Sequence, residues 1–271
     1  MASEESKVPA GVDPNVPSAA RMYDYYLGGK DNFAADREAA EKIIKILPNV
    51  RAIARENREF LVRAVTYLAQ QGVRQFLDIG AGLPTQRNVH QVAQEVTPGA
   101  RVVYVDNDPI VLVHARALLM ENSDVIAVDA DMRDPEGILN HPDIRAHLDF
   151  SQPTAILLLG ILHFIPDDEE AHKIVSALKS ALVPGGYLVI SHGSVSEVPE
   201  EQAREGMEVY SRTSVPGVTS RTAQQVQEFF SGLDLVDPGV VLLRDWRPDP
   251  DAVLLPELGR VDAVGGVGRK P

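Results

Sequence analysis

The chain has 271 residues, a formal net charge of −13 and no cysteine. Its length suits one large α/β domain with a short extension. The acidic balance argues against a nucleic-acid partner, whose phosphates would be repelled. The lack of cysteine excludes disulfides, thiolate zinc sites and a cysteine nucleophile. With no apolar run long enough to cross a bilayer and no signal-peptide pattern, we expect a cytoplasmic protein without a membrane partner.

The first 71 residues differ in composition from the rest of the chain. Residues 1–17 contain three prolines and few large apolar side chains, which predicts a mobile arm. A tyrosine-rich segment follows and predicts a short helix that ends at Gly28 and Gly29. Apolar side chains at helical spacing predict two more helices over 35–47 and 49–71. We therefore predict an N-terminal helical extension over residues 18–71.

From residue 72 onward, predicted strands alternate with predicted helices. Five strands rich in Val, Ile and Leu are expected at 75–79, 101–106, 125–129, 154–159 and 186–192. Helices are expected between them at 86–95, 110–121, about 136–140 and 169–182. Apolar strands without alternation are typical of parallel strands covered on both faces, and the order predicts right-handed βαβ units. Helices near 199–212 and 222–231, within a predicted cap insertion at 199–231, and strands within 233–243 and 263–270 complete a doubly wound α/β domain.

The segment after the first strand predicts a cofactor site. An apolar strand containing Asp78 ends in two glycines at alternate positions, Gly80 and Gly82, before a helix start. Glycine there lets the backbone approach a nucleotide-like ligand, where a Cβ would clash. A dinucleotide fingerprint would need a third glycine at Thr85. Its absence counts against NAD and FAD, which carry a pyrophosphate.

Acidic side chains follow the second and third strands. Asp106 ends the second strand and has two acceptor oxygens suited to the vicinal hydroxyls of a ribose. The alternative is that Asp106 only caps the turn that follows it. Asp131, with the backbone amide of Met132, could bind an adenine ring. A solvated loop is the alternative there.

Residues after the fourth strand are candidates for the reaction centre. Gly160 stands where bulk would block a pocket at the carboxyl end of the sheet. His163 is then expected near the pocket floor, although a core histidine bonded to backbone is the alternative. His163 and His192 are the candidate general bases, because histidine titrates near neutral pH. The histidines lack the spacing of metal ligands, and we predict no metal site.

The N-terminal tyrosines are too polar and too aromatic for a simple linker. We expect this segment to fold over the carboxyl ends of the strands as a lid, with Tyr23 and Tyr26 against the cofactor. Packing of the tyrosines on the flank of the domain is the alternative. Arg58 could pair with a carboxylate of the cofactor, although a surface ion pair is the alternative.

Together these residues resemble the class I S-adenosylmethionine-dependent methyltransferases over about residues 72–192. A narrower similarity covers nearly the whole chain. The string Arg-Met-Tyr-Asp-Tyr-Tyr-Leu-Gly-Gly-Lys-Asp-Asn-Phe at 21–33 and the turn Gly-Ala-Gly-Leu-Pro-Thr at 80–85 look like an actinobacterial methyltransferase family long labelled a domain of unknown function. Two positions depart from the wider class. Pro84 replaces a small residue, and we expect it at a first helical position; Asn107 stands where an apolar residue often packs on adenine.

The resemblance implies a seven-stranded sheet in the order 3-2-1-4-5-7-6, with strand 7 antiparallel, and S-adenosylmethionine as the cofactor. It implies an enzyme that methylates an unidentified small-molecule acceptor. A non-catalytic S-adenosylmethionine-binding sensor or regulator is the alternative. Carried over by motif, the cofactor-binding residues would lie against the methionine part (Asp78, Gly80, Gly82), the ribose (Asp106), the adenine (Asn107, Asp131, Met132) and the reacting methyl (Gly160, His163).

Overall fold

The computed structural model describes residues 11–84, 87–119, 122–194, 200–215, 217–249 and 263–271. Its centre is an eight-stranded sheet whose first five strands are parallel to one another. In chain order the strands are β1 (Gln75–Ile79), β2 (Arg101–Asp106), β3 (Val125–Asp129), β4 (Ala155–Leu159), β5 (Tyr187–Gly193), β6 (Asp234–Leu235), β7 (Val241–Leu242) and β8 (Ala263–Arg269).

The predicted doubly wound topology is confirmed. The order in space is β3-β2-β1-β4-β5-β8-β6, with β7 also paired to β8. Strand β8 runs antiparallel to β5 and takes the place of the expected seventh strand. The predicted strand over 233–243 is instead two short strands, because Pro238 lacks a backbone N–H and Gly239 turns the chain at φ +90°. Among the described residues the count is therefore eight strands rather than seven.

Ten α-helices are described; nine lie close to the predicted ranges, and α7 was not predicted as a separate helix. The helix expected at 86–95 begins only at Val89, where Asn88 precedes it and its backbone N–H donates to Gln91 at 2.8 Å. Pro84 therefore precedes the helix instead of occupying its first position, which corrects that prediction. The helices are α1 (Ala19–Tyr26), α2 (Ala34–Ile46), α3 (Val50–Gln70), α4 (Val89–Val96), α5 (Pro109–Leu119), α6 (Pro135–Leu139), α7 (Pro142–His147), α8 (Asp168–Ser180), α9 (Glu200–Ser211) and α10 (Ala223–Glu228).

Both faces of the sheet are covered, as the apolar strands predict. Successive residues of β1 point into different cores: Phe76 joins a cluster with helix α3, and Leu77 joins a cluster with helix α8. All five residues of β1 are buried. Burial on two faces explains why the strand sequences show no alternation of apolar and polar residues. The carboxyl ends of β1, β2, β3, β4 and β5 consequently meet at one edge, which we call the carboxyl edge.

The N-terminal helices contact the carboxyl edge in two ways. Helix α3 belongs to the layer on one face of the sheet, where it buries Phe60 and Leu68. Helices α1 and α2 form a separate small core with the start of α3. The segments before α1 and between α1 and α2 pack Val12 and Phe33 against Leu83 of the glycine turn.

The predicted mobile arm lies partly outside the described residues. In the described part of the chain, no helix has the length and apolar content needed to span a bilayer.

Candidate cofactor and active site

The turn after β1 is built by two glycines with different tasks. Gly80 and Gly82 have φ values of +75° and +65°, a region that L side chains rarely adopt. A Cβ on Gly80 would lie 2.5 Å from Cγ1 of Ile161, so here the close neighbour is protein. A Cβ on Gly82 would meet no described atom within 4 Å. The space over Gly82 is therefore open among the described residues, as a ligand cradle requires.

Asp106 links this turn to β2. Its Oδ2 accepts a hydrogen bond of 2.9 Å from the backbone N–H of Gly82, and its Oδ1 accepts one of 2.9 Å from the N–H of Asp108. The bond with Asp108 caps the turn after β2, which is the alternative role predicted for Asp106. The bond with Gly82 is additional and joins Asp106 to the glycine turn. A carboxylate offers about four acceptor sites, so capacity remains for ligand hydroxyls. Burial raises the pKa of Asp106 to about 6, against the opposing effect of these backbone donors.

A second acid lies beneath the turn. Asp78 is 5% exposed, and desolvation raises its pKa to about 7. The charge of Arg58 lowers this pKa, and that of Asp106 raises it. Arg58 donates to the carbonyl of Arg87 at 3.0 Å, next to the glycine turn. Its position beside Asp78 places a cation at the predicted methionine end of the site.

Tyr104 and His90 are hydrogen-bonded to each other beside the glycine turn. The sequence analysis did not identify either residue. Tyr104 lies opposite Asp78 in the β1–β2 register. Its hydroxyl accepts from the backbone N–H of His90 at 2.9 Å and lies 2.8 Å from Nδ1 of the same residue. Both line a small cavity together with Gly82 and Pro84. The signal available in the sequence was a tyrosine inside an otherwise apolar strand.

The predicted adenine residues meet at the ends of β2 and β3. Asn107 Nδ2 donates to Asp131 Oδ2 at 3.3 Å, and Arg133 also donates to that oxygen at 3.3 Å. Met132 is 8% exposed and packs into the core on the α8 face. The hydrogen-bonded pair Asn107 and Asp131 is thus polar and lies beside Asp106. In the wider class an apolar residue often packs on the adenine at the position of Asn107. The roles of these three residues toward adenine remain predictions.

His163 follows β4 in a short 3-10 helix, Leu162–Phe164. Its Nδ1 is buried and has no hydrogen-bond partner among the described residues. Desolvation, with the neighbouring His192 and Arg221, lowers its pKa to about 3. The imidazole is therefore neutral at pH 7. Gly160, three residues earlier, has φ +65° and lies beside Asn57, whose Nδ2 would be 3.2 Å from an added Cβ.

His192 is held by hydrogen bonds at both ring nitrogens. Its Nε2 lies 3.1 Å from a guanidinium nitrogen of Arg221, and its Nδ1 lies 2.7 Å from the carbonyl oxygen of Gly193. Because arginine only donates, Nε2 accepts and Nδ1 carries the proton. Burial lowers the pKa of His192 to about 4. In this arrangement His192 offers no free lone pair, whereas His163 does.

The predicted lid tyrosines reach the carboxyl edge at two points. The Tyr23 hydroxyl donates to the Ala54 carbonyl at 3.0 Å and accepts from Asn57 Nδ2 at 3.0 Å; Asn57 Oδ1 accepts from Ser191 at 2.5 Å. Burial raises the pKa of Tyr23. This chain of bonds joins the extension to β5 and includes Asn57 and Ser191, which sequence analysis did not single out.

Tyr26 meets the predicted cap. Its hydroxyl lies 3.5 Å from that of Tyr210 on α9, and the Tyr210 ring lies 5.8 Å from that of Phe164, next to His163. Tyr26 is 3% exposed. The N-terminal extension and α9 therefore meet above the His163 segment.

The fold and these positions place the chain in the class of Rossmann-like α/β proteins, whose ligands lie at the carboxyl edge. The chain belongs to a family described as S-adenosyl methyltransferase, whose model matches residues 5–271. Its cofactor is S-adenosylmethionine. The family resemblance inferred from residues 21–33 and 80–85 is thus confirmed. No curated protein matches the chain.

Two solved structures are closely similar. One is a candidate methyltransferase from Thermobifida fusca YX, 43% identical, with 98% of this chain and 99% of that chain covered and a TM-score of 0.88. The other is a DUF574 family protein from Streptomyces avermitilis MA-4680, 41% identical, with 96% and 99% covered and a TM-score of 0.86. A more distant match is the N-methyltransferase NodS from Bradyrhizobium japonicum WM9 in complex with S-adenosyl-L-homocysteine, at 15% identity, 81% and 88% coverage and a TM-score of 0.49.

Proposed function

We propose that this chain transfers a methyl group from S-adenosylmethionine to a small-molecule acceptor at the carboxyl edge. The observation that carries the proposal is the bond from the Gly82 N–H to Asp106 beside the open space over Gly82. A carboxylate held at a glycine turn, with acceptor capacity left, suits the two vicinal hydroxyls of a ribose.

The surrounding residues fit the remaining parts of the cofactor. Asn107, next to Asp106 at the end of β2, and Asp131, after β3, present amide and carboxylate groups where the adenine would lie. The methionine end would lie toward Gly80 and Gly160, with Arg58 supplying the cation near Asp78. When bound, the cofactor supplies a sulfonium-activated methyl group. The protein then has to bind, orient and exclude water.

His163 is the better of the two candidate bases. A neutral imidazole can accept a proton from an acceptor that arrives protonated, but the pKa of about 3 makes His163 a weak base at pH 7, so this role requires the bound ligands to raise that pKa. His192 would first have to give up its bond with Arg221. A base is not needed for an acceptor that is already a free nucleophile. Alignment alone can supply about 7–11 kcal/mol of barrier reduction.

The extension and α9 are proposed to close the site. Tyr23 reaches Asn57 near Gly160, and Tyr26 reaches Tyr210. A cover of this kind keeps water from the reacting methyl. It also gives the acceptor an aromatic wall formed by Phe164 and Tyr210.

The experiment is transfer of an isotope-labelled methyl group from S-adenosylmethionine to fractionated metabolite extracts. We expect label in one small-molecule fraction, with stoichiometric S-adenosylhomocysteine, and no label with Asp106→Ala. Tight S-adenosylmethionine binding without labelled product across all fractions would favour the sensor or regulator. No binding at all would refute both.

A further inference from the structure

A single buried arginine donates hydrogen bonds to four groups in the candidate site. The Arg221 side chain is 2% exposed and stands just before helix α10. Its guanidinium donates to the carbonyls of Leu162 at 3.0 Å and Ile165 at 2.8 Å, to Asp168 Oδ1 at 2.8 Å and to His192 Nε2 at 3.1 Å. Two of these bonds flank His163 in sequence.

The same connector also binds His163 through its backbone. The N–H of Thr219 donates to the carbonyl oxygen of His163 at 2.8 Å. The 3-10 helix that carries His163 is only three residues long. Its Leu162 carbonyl accepts from the N–H of Ile165 at 3.1 Å, but the His163 carbonyl has no donor inside the turn. Thr219 and Arg221 together supply donors to three carbonyls, those of residues 162, 163 and 165. The turn that presents His163 is therefore held from outside by the connector between α9 and α10.

We propose that Arg221 is a positioning residue of the methyl-transfer site: it fixes the turn that carries His163 and holds the His192 ring by donating to its Nε2. The role of Arg221 in methyl transfer rests on the proposed function. Its hydrogen bonds to the His163 turn and to His192 can be tested without measuring turnover. Arginine suits the task because its planar fork directs several donors at once, whereas a lysine ammonium is a compact point charge. The charged groups that face His192 are Arg221 and Asp168, with the His163 ring 5.7 Å away between centroids.

The chain offers a matched control. Arg63 also bonds the carbonyls around a 3-10 helix, donating to Leu243 at 2.6 Å and Trp246 at 2.9 Å. Among the described residues it makes no hydrogen bond to His163 or His192, and it lies on helix α3. Arg63→Lys should therefore reproduce the loss of carbonyl bonds without touching the site.

The test compares wild type, Arg221→Lys, Arg221→Met and Arg63→Lys in the full chain. Imidazole ¹⁵N NMR should show the same His192 Nε2 signal in wild type and Arg63→Lys and a shifted Nε2 signal in both Arg221 variants, because only there does Nε2 lose its guanidinium donor, while Nδ1–H stays bonded to the Gly193 carbonyl. Calorimetry with S-adenosylhomocysteine should show about tenfold weaker binding in the Arg221 variants only, because the turn proposed to border the cofactor loses the donors that hold it. Circular dichroism confirms folding, and Arg221→Lys serves if Arg221→Met does not fold.

Unchanged imidazole signals and unchanged S-adenosylhomocysteine affinity in Arg221→Lys would overturn the proposal, leaving only a structural role like that of Arg63. The failure of the proposed function has a different signature. In that case wild type would bind no S-adenosylhomocysteine, while the His192 Nε2 signal would still respond to replacement of Arg221.

Discussion

The Oδ2 atom of Asp106 lies 2.9 Å from the backbone nitrogen of Gly82, across 24 residues of sequence. This bond joins the glycine turn after β1 to the acid that ends β2. Each was a weak signal alone, because a glycine turn and a strand-terminal acid both occur in many proteins. Their contact brings the two predicted halves of the cofactor site together.

The two glycines of the turn should respond differently to substitution. Gly82→Ala adds a Cβ at φ +65° that points into open space. Strain should cost about 1–2 kcal/mol of stability, and S-adenosylhomocysteine affinity should fall. Gly80→Ala should destabilise the fold more, because its Cβ would overlap Ile161. Denaturant unfolding and calorimetry measure both effects. Wild-type affinity in Gly82→Ala would place the cofactor elsewhere.

Ionisation of buried Asp78 should lower the free energy of unfolding as the pH rises. Its folded-state pKa of about 7 exceeds the ordinary value of 3.8, so the folded chain binds this proton more tightly than the unfolded chain. Stability is then lost between about pH 4 and 7. Asp78→Asn stays neutral and should be more stable than wild type at pH 8 by on the order of 1–3 kcal/mol. The advantage should vanish near pH 4; a difference independent of pH would contradict the assignment.

Cofactor affinity should depend on the ionisation of Asp106. Ribose hydroxyls donate to the carboxylate, so the ligand binds the ionised form. Because the pKa of Asp106 is raised to about 6, S-adenosylhomocysteine affinity should be constant above pH 7 and weaken as pH falls through 6. Calorimetry from pH 5 to pH 8 checks this, with Asp106→Asn as the control whose profile loses the step. A wild-type profile that is flat over this range would count against Asp106 as the ribose ligand.

The lid assignment is tested at two tyrosines. Tyr23→Ala removes the hydroxyl that Asn57 bonds, and Tyr26→Ala removes contact with Tyr210. We expect about tenfold weaker S-adenosylhomocysteine binding or slower turnover for the alanine variants and a few-fold effect for Tyr→Phe, as expected for losing one hydrogen bond. Tyr67→Phe on α3 is the control. Wild-type affinity and turnover in all four variants would mean that these tyrosines only pack on the domain.

The parallel core was predictable because its strands are short apolar runs bounded by glycine, proline and acids. Strands β1, β2 and β3 have the predicted bounds. The split between β6 and β7 was not predicted, since a proline and glycine inside an apolar stretch do not reveal whether pairing resumes after them.

The supporting residues of the site were beyond sequence reasoning for a different reason. Asn57 and Ser191 are separated by 134 residues, and Arg221 and Leu162 by 59. Such contacts depend on tertiary packing and leave no local periodicity. Arg221 in particular looks like an ordinary surface arginine in the sequence, where most arginines are exposed.

The central claim is that an adenosyl cofactor lies over Gly82 with its ribose on Asp106. The most direct measurement is calorimetry at pH 8 of S-adenosylmethionine, S-adenosylhomocysteine and NAD against wild type and Asp106→Ala. We expect wild type to bind both S-adenosyl compounds but not NAD, and Asp106→Ala to lose at least tenfold in affinity while remaining folded. Tight NAD binding with no S-adenosyl binding, or an Asp106→Ala variant that binds S-adenosylhomocysteine like wild type, would contradict it.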